Sequence, residues 1–96
     1  MSIEETLASR EKTHGKYSNH ARVTQRIKRL FFEEISNCSA FLTDSQWETL
    51  DMIAHKIGRI IAGNPNEPDH WHDIAGYAEL IVRELREVDN DAAPGA

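Results

Sequence analysis

Apolar residues recur every three or four positions along three stretches of this chain, which is the period of an α-helix with one apolar face. The first of these stretches carries Val23, Ile27, Leu30, Phe31 and Ile35. The second carries Trp47, Leu50, Ile53, Ala54, Ile57, Ile60 and Ile61. The third carries Trp71, Ile74, Ala78, Ile81, Leu85 and Val88. The pattern predicts three amphipathic helices whose apolar stripes form the core.

Capping residues indicate where the helices begin. An S-x-x-E box at residues 2–5 and a T-x-x-Q box at residues 43–46 each provide side chains that satisfy free N–H groups at a helix start. The first box predicts an additional short helix over about residues 3–13, which His14-Gly15 ends because glycine commonly follows a helix C-terminus. Either Ser18 or Asn19 is predicted to cap the second helix.

The predicted fold class is all-α, a small bundle of about four helices with no strand. Gly63 ends the third helix, and Pro68 suits the first turn of the fourth because that position needs no N–H donor. We expect helices 3 and 4 to form an antiparallel hairpin across this short turn, with the second helix packed on the hairpin. A single domain is expected over residues 1–88, followed by a disordered acidic tail over residues 89–96.

Charge divides the chain into two unlike halves. The net charge is −5, but residues 1–30 carry seven Lys and Arg against three Glu, whereas residues 31–96 carry four against thirteen acidic residues. The halves are expected to attract each other, within or between chains, and the alternative is an anion-binding half beside an acidic half. The same alternatives apply to a basic face of Arg22, Arg26 and Arg29. The acidic balance argues against nonspecific DNA binding.

Compartment and assembly follow from three further features. No apolar run approaches the roughly 18–20 residues of a membrane span, and the acidic N-terminus lacks the apolar region of a secretory signal. Cys38 is the only cysteine, which fits a reducing cytoplasm. A chain of 96 residues buries a modest core, so a homo-oligomer, most simply a dimer, is expected.

Two glycines lie inside strongly periodic helices, where glycine costs about 1 kcal/mol relative to alanine. On a helical wheel, Gly58 and Gly76 fall on the polar sides of their helices, opposite the apolar stripes. Leu80 shares that outer face of the last helix, where a monomer would leave it in water. The predicted oligomer interface therefore contains Gly58, Gly76 and Leu80.

The stretch DHWHDIAGYAEL, residues 69–80, carries the candidate metal ligands. Asp69 and Asp73 lie one turn apart and are spaced to share a Mg²⁺ ion, although acids in a first helical turn also stabilise the helix dipole. His70 and His72 point to different sides and cannot hold one ion together, so a hydrogen-bonding role is expected. We find no catalytic triad and no glycine-rich phosphate loop in the sequence, and we predict no cofactor.

The segments ETLASREKTHG (residues 5–15) and DMIAHKIGRIIAGNPNEPDHWHDIAGYAEL (residues 51–80) resemble a small family of uncharacterised phage and prophage proteins. The shared patterns are Arg-x-x-x-His-Gly near the start and Asp-His-Trp-x-Asp-Ile-Ala-Gly-Tyr-Ala in the last helix. This chain has Asn64 where the family pattern has an acid. The residues that match the motifs are Arg10, His14, Gly15, Lys56, Arg59, Asp69, His70, Trp71, Asp73, Gly76 and Tyr77. The resemblance implies a phage-type protein of the host cytoplasm and no particular activity.

A second, architectural similarity is to the all-α nucleoside triphosphate pyrophosphohydrolases of the MazG type. Those enzymes hold Mg²⁺ with an E-x-x-E set on one helix and an E-x-x-D set on the next. Here Glu48-x-x-Asp51 fits E-x-x-D, but it begins the third helix, and Asp69 and Asp73 have a different spacing.

Three functional hypotheses remain open. The preferred one is a phage-type accessory protein that acts by binding, without catalysis. Its ligand would be a nucleotide-like phosphorylated molecule or a host protein, as in counter-defence. The alternatives are a Mg²⁺-dependent pyrophosphohydrolase and a structural helical oligomer without a ligand. The candidate ligand-binding residues are His55, Lys56, Arg59, Asp69, Trp71, Asp73 and Tyr77.

Overall fold

In the computed structural model, the backbone is described for residues 2–92 and the side chains for residues 2–87. This part of the chain contains four α-helices and no strand. They are α1 (Ile3–His14), α2 (Tyr17–Asn37), α3 (Asp44–Ala62) and α4 (Pro68–Ala92). The all-α prediction is confirmed. Helix α4 extends four residues past the predicted domain end at residue 88, and the rest of the predicted tail, residues 93–96, lies outside the described residues.

The predicted caps explain most of the helix ends. The Ser2 hydroxyl accepts a hydrogen bond from the Glu5 N–H, and Thr43 and Gln46 form the reciprocal capping box at the start of α3. Gly63 follows the end of α3, and Pro68 is the first residue of α4. These ends are confirmed.

The start of α2 differs from the prediction. The helix begins at Tyr17, so Ser18 and Asn19 lie inside it, and Lys16 is the N-cap residue without a side-chain cap. The reason is the turn at Gly15, where a φ of 78° redirects the chain before either predicted cap is reached.

Helix α3 is the centre of the molecule. Helices α2 and α4 pack on different sides of α3, and α1 packs across α3 and α2. Within residues 2–92, the backbone of α2 does not approach that of α4. The α3–α4 pair is antiparallel, because Lys56 reaches Asp73 while Ser45, about three turns earlier, reaches Glu84. The predicted hairpin is therefore present, but α2 packs on only one of its two helices, α3.

Two close approaches hold the helices together. Thr24 and His20 of α2 lie directly over Gly58, where no side chain larger than hydrogen fits. At the other approach, the turn at Gly15 lies against the backbone of Ala62 and Gly63. The Thr13 carbonyl there accepts hydrogen bonds from the Asn64 N–H, at 3.0 Å, and from the ring of the buried His70, at 2.9 Å.

The apolar stripes are covered much less than the sequence predicts. Among the described residues, Ala54 is the only hydrophobic residue that is fully shielded from solvent. Predicted core residues that are half-exposed or more include Ile61 at 65%, Trp71 at 55%, Leu30 at 54% and Leu85 at 50%. The molecule is also elongated, with a radius of gyration of 16.9 Å, whereas about 12.5 Å is expected for a compact chain of this length. None of the helices in the described part is long and apolar enough to cross a membrane.

Candidate functional site

A groove of about 610 Å³ lies between α1, the turn that follows it, and the adjoining faces of α2 and α3. We call it the basic groove. Its walls contain more cationic and imidazole side chains than acids. The lining residues are Leu7, Arg10, Glu11, His14, Gly15, Lys16, Tyr17, Ser18, His20, His55 and Arg59.

Helical spacing brings these side chains into one place. Arg10 and His14 are four residues apart on α1, as His55 and Arg59 are on α3, so each pair lies on one helix face. The turn at Gly15 folds α2 back so that His20 reaches α3, where its Nε2 lies 3.0 Å from the carbonyl oxygen of His55. The groove is thus built by three helices from distant parts of the sequence.

Arg59 is the most unusual cation of the groove. It is partly buried, and its Nε–H donor is shielded from solvent without a hydrogen-bond acceptor in the described structure. Burial lowers the pKa of this guanidinium, the Asp73 carboxylate opposes that change, and the like charge of Arg10 lowers the pKa further. A desolvated guanidinium beside a second arginine is an environment that an anion would stabilise.

The histidines of the groove are uncharged near neutral pH. Burial, followed by the positive charge of Arg59, lowers the pKa of both His14 and His55 to about 4. Burial also lowers the pKa of His20, although its hydrogen bond to the His55 carbonyl opposes the change. The rings pack in pairs, with centroids 4.5 Å apart for His20 and His55 and 5.3 Å for His14 and His70. Neutral imidazoles offer a ligand both a donor and an acceptor without adding charge.

The structure gives Lys56 and Asp73 another role than the predicted one. Lys56 is buried, and its Nζ lies 3.0 Å from a carboxylate oxygen of Asp73, so the two form an ion pair between α3 and α4. The Lys56 hydrogen bond is the main cause that lowers the pKa of Asp73. Asp73 is therefore engaged in packing rather than paired with Asp69, which is exposed. Among the described side chains, no group of three or more His, Cys, Asp and Glu converges as a metal site.

Trp71 and Tyr77 are also placed away from the basic groove. The Trp71 indole N–H donates to the Pro65 carbonyl at 2.8 Å, which fixes the ring against the turn between α3 and α4. Tyr77 lines a second, more open groove between α3 and α4, together with Leu80 and several acidic residues. Of the seven predicted ligand-binding residues, the structure brings only His55 and Arg59 into the basic groove.

The two glycines of the predicted interface lie in different environments. Gly58 was expected on an outer face but is buried under α2, because the contact there uses small and polar residues instead of the apolar stripe. A Cβ added at Gly76 would meet no atom within 4 Å beyond the backbone of its own helix, and Leu80 is 59% exposed, so this part of α4 is open. His70, expected to serve in a hydrogen bond, does so with Thr13.

Sequence reasoning missed Lys16 and His20 entirely and did not assign Arg10 or His14 to a ligand. The Arg-x-x-x-His-Gly pattern could have indicated this part of the site, because it places Arg10 and His14 one turn apart just before a chain reversal. Comparisons with family models, with curated proteins and with solved structures gave no match to this chain. Its function is therefore argued from the site.

Proposed function

We propose that this protein binds a small anionic molecule of the phosphate-bearing class in the basic groove. The observation that supports this most directly is Arg59, a desolvated guanidinium beside Arg10 with a buried donor that has no acceptor. Arginine presents a planar fork of donors that matches phosphate and carboxylate oxygens. An anion between the two guanidinium groups would relieve their mutual repulsion.

The size and composition of the groove suit such a ligand. Its volume of about 610 Å³ lies within the range of ordinary small-molecule sites. Arg10, Lys16 and Arg59 supply positive charge against the single carboxylate of Glu11. Leu7 and the ring of Tyr17 add apolar surface, which a nucleoside or another uncharged part of the ligand can contact.

The biological role and the oligomeric state of the protein are also part of the proposal. The resemblance to phage and prophage proteins favours a non-catalytic accessory role, and the homo-oligomer expected from the sequence belongs to the same hypothesis. A metal-dependent pyrophosphohydrolase needs converging carboxylates, and we assign no residue set to that alternative within the described side chains.

Thermal unfolding in the presence of inorganic pyrophosphate, ATP or adenosine, each with and without Mg²⁺, tests the proposal. A ligand that binds only the native state at about 100 times its Kd stabilises it by about 2.7 kcal/mol. We expect pyrophosphate and ATP to raise the midpoint and uncharged adenosine to leave it nearly unchanged. The rise should decrease with added salt, because charge attraction is screened.

Matched variants identify the site. Arg59→Gln should remove the shift, whereas Arg26→Gln, which deletes an equal charge on an exposed part of α2 outside the groove, should retain it. Equal loss in both variants would mean that overall charge, not the groove, binds the anion. The absence of a shift with every phosphate compound would refute the proposal and favour a protein partner.

A further inference from the structure

Helices α2 and α4 cover two opposite sides of α3. Gly58 faces α2, and Lys56 faces α4, about 200° around the helix from it. The two sectors between these directions have opposite character. One carries the groove residues His55 and Arg59, and the other carries Ile57 and Ile61, of which Ile61 is 65% exposed.

Helix α4 continues the apolar sector. Trp71, Ala75, Ala78, Val82 and Leu85 follow one another at intervals of four, three, four and three residues, the spacing of a coiled-coil seam. All five are exposed, and Val82 is exposed by 37%. The seam lies about 100° around α4 from the side that contacts α3.

The antiparallel pairing of α3 and α4 places this seam on the same side of the molecule as Ile57 and Ile61, opposite the basic groove. We call this side the apolar face and define it by Ile57, Ile61, Trp71, Ala78, Val82 and Leu85. The ring of Trp71 is already fixed by its hydrogen bond to the Pro65 carbonyl, so it presents a rigid aromatic surface without an unsatisfied N–H.

The chain leaves more surface uncovered than a compact monomer does. Its whole surface of 7175 Å² is about 1,600 Å² larger than a compact monomer of its mass exposes, and the exposed residues of the apolar face contribute to this excess. A standard protein interface takes about 800 Å² from each partner, and obligate homodimers take more. A chain whose described part shields only Ala54 among its hydrophobic residues needs such a partner to complete its core.

We propose that a second copy of this chain packs on the apolar face and completes the hydrophobic core of a homodimer. A second copy is the one partner that is always synthesised with the chain. The contact surface itself brings no row of like charges together, because the seam is uncharged and its flank carries both Glu79 and Arg86. In this dimer the two basic grooves point outward, so the inference does not depend on the proposed ligand.

The mass and stability of the full chain test the dimer. Sedimentation equilibrium should give twice the 10.9 kDa chain mass. The thermal midpoint should rise across a roughly hundredfold increase in protein concentration, because association stabilises a dimer by mass action. A single-chain mass together with a midpoint that does not depend on concentration would refute the proposal.

A matched pair of leucines tests the surface. Leu85 lies on the apolar face, whereas Leu80 lies on the other side of α4 with similar exposure. Leu85→Glu should weaken the dimer roughly a hundredfold or more, because each copy would bury a carboxylate, and Leu80→Glu should leave it intact. If Leu85→Glu prevents folding, Leu85→Ala should still weaken a folded dimer roughly tenfold, and Leu80→Ala should not. Dissociation by the Leu80 variants, or none by the Leu85 variants, would overturn the assignment.

Discussion

A methyl group added at Gly58 meets α2 at a close contact between α2 and α3. The new Cβ would collide with the Thr24 hydroxyl and lie 2.8 Å from His20 Cδ2 and 3.2 Å from the His20 carbonyl oxygen. A side chain can rotate away, but the carbonyl belongs to the α2 backbone, so part of the collision requires the helices to separate.

Two effects of opposite sign decide the result of Gly58→Ala. Alanine favours the helix over glycine by about 1 kcal/mol. Overpacking a tight contact costs about 1–3 kcal/mol, and the backbone contact at His20 places this site in the upper part of that range. We therefore expect a net loss of about 1–2 kcal/mol in the free energy of unfolding.

Gly76→Ala is the matched control, because it makes the same chemical change inside a helix where nothing lies within 4 Å. Only the helix preference acts there, so the variant should gain up to about 1 kcal/mol. Urea unfolding followed by circular dichroism, at one fixed protein concentration, measures both changes. Thr24→Ala should restore part of the loss in the Gly58→Ala background, and a double-mutant cycle isolates that coupling. Equal stabilisation by both alanines would refute the proposed contact between α2 and α3.

Two further predictions concern charge. Asp73→Asn should lower the urea midpoint of unfolding, because it leaves the buried Lys56 without its counter-charge. Asp69→Asn, at an exposed position, should change the midpoint little. Equal effects of the two substitutions would contradict the ion-pair assignment. The free energy of unfolding should fall as pH falls from 6.5 to about 4, because the unfolded chain binds protons at His14 and His55 that the folded protein does not bind until its pKa values of about 4 are reached. NMR titration of these rings measures the two pKa values directly, and values near 6.5 would contradict the burial argument.

The helices could be predicted from the sequence because their signals are local. The caps at residues 2–5 and 43–46, and the break at Gly63 and Pro68, depend on neighbouring residues alone. The start of α2 was predicted two to three residues too late, because the positive φ of Gly15 reflects its contact with the end of α3, a tertiary feature.

The packing could not be predicted in the same way. The wheel of α3 assigned its apolar stripe to the core and Gly58 to the surface, but the chain buries Gly58 under Thr24 and leaves Ile61 exposed. Sequence periodicity shows that a face is apolar without showing which molecule covers it. The basic groove escaped prediction for a related reason, since its residues come from three helices whose relative positions are set by these contacts.

The attachment of α1 leads to an expectation about how fast the basic groove opens. No residue of this 12-residue helix is buried, and its strongest ties lie at its C-terminal end, where the Thr13 carbonyl binds Asn64 and His70. The opposite end lies about 18 Å away along the helix axis. Such an element unfolds locally at a lower free energy than the helices it covers. Amide hydrogens of α1 should then exchange with solvent earliest. The frequency of that local unfolding would limit how quickly the proposed ligand enters or leaves the basic groove.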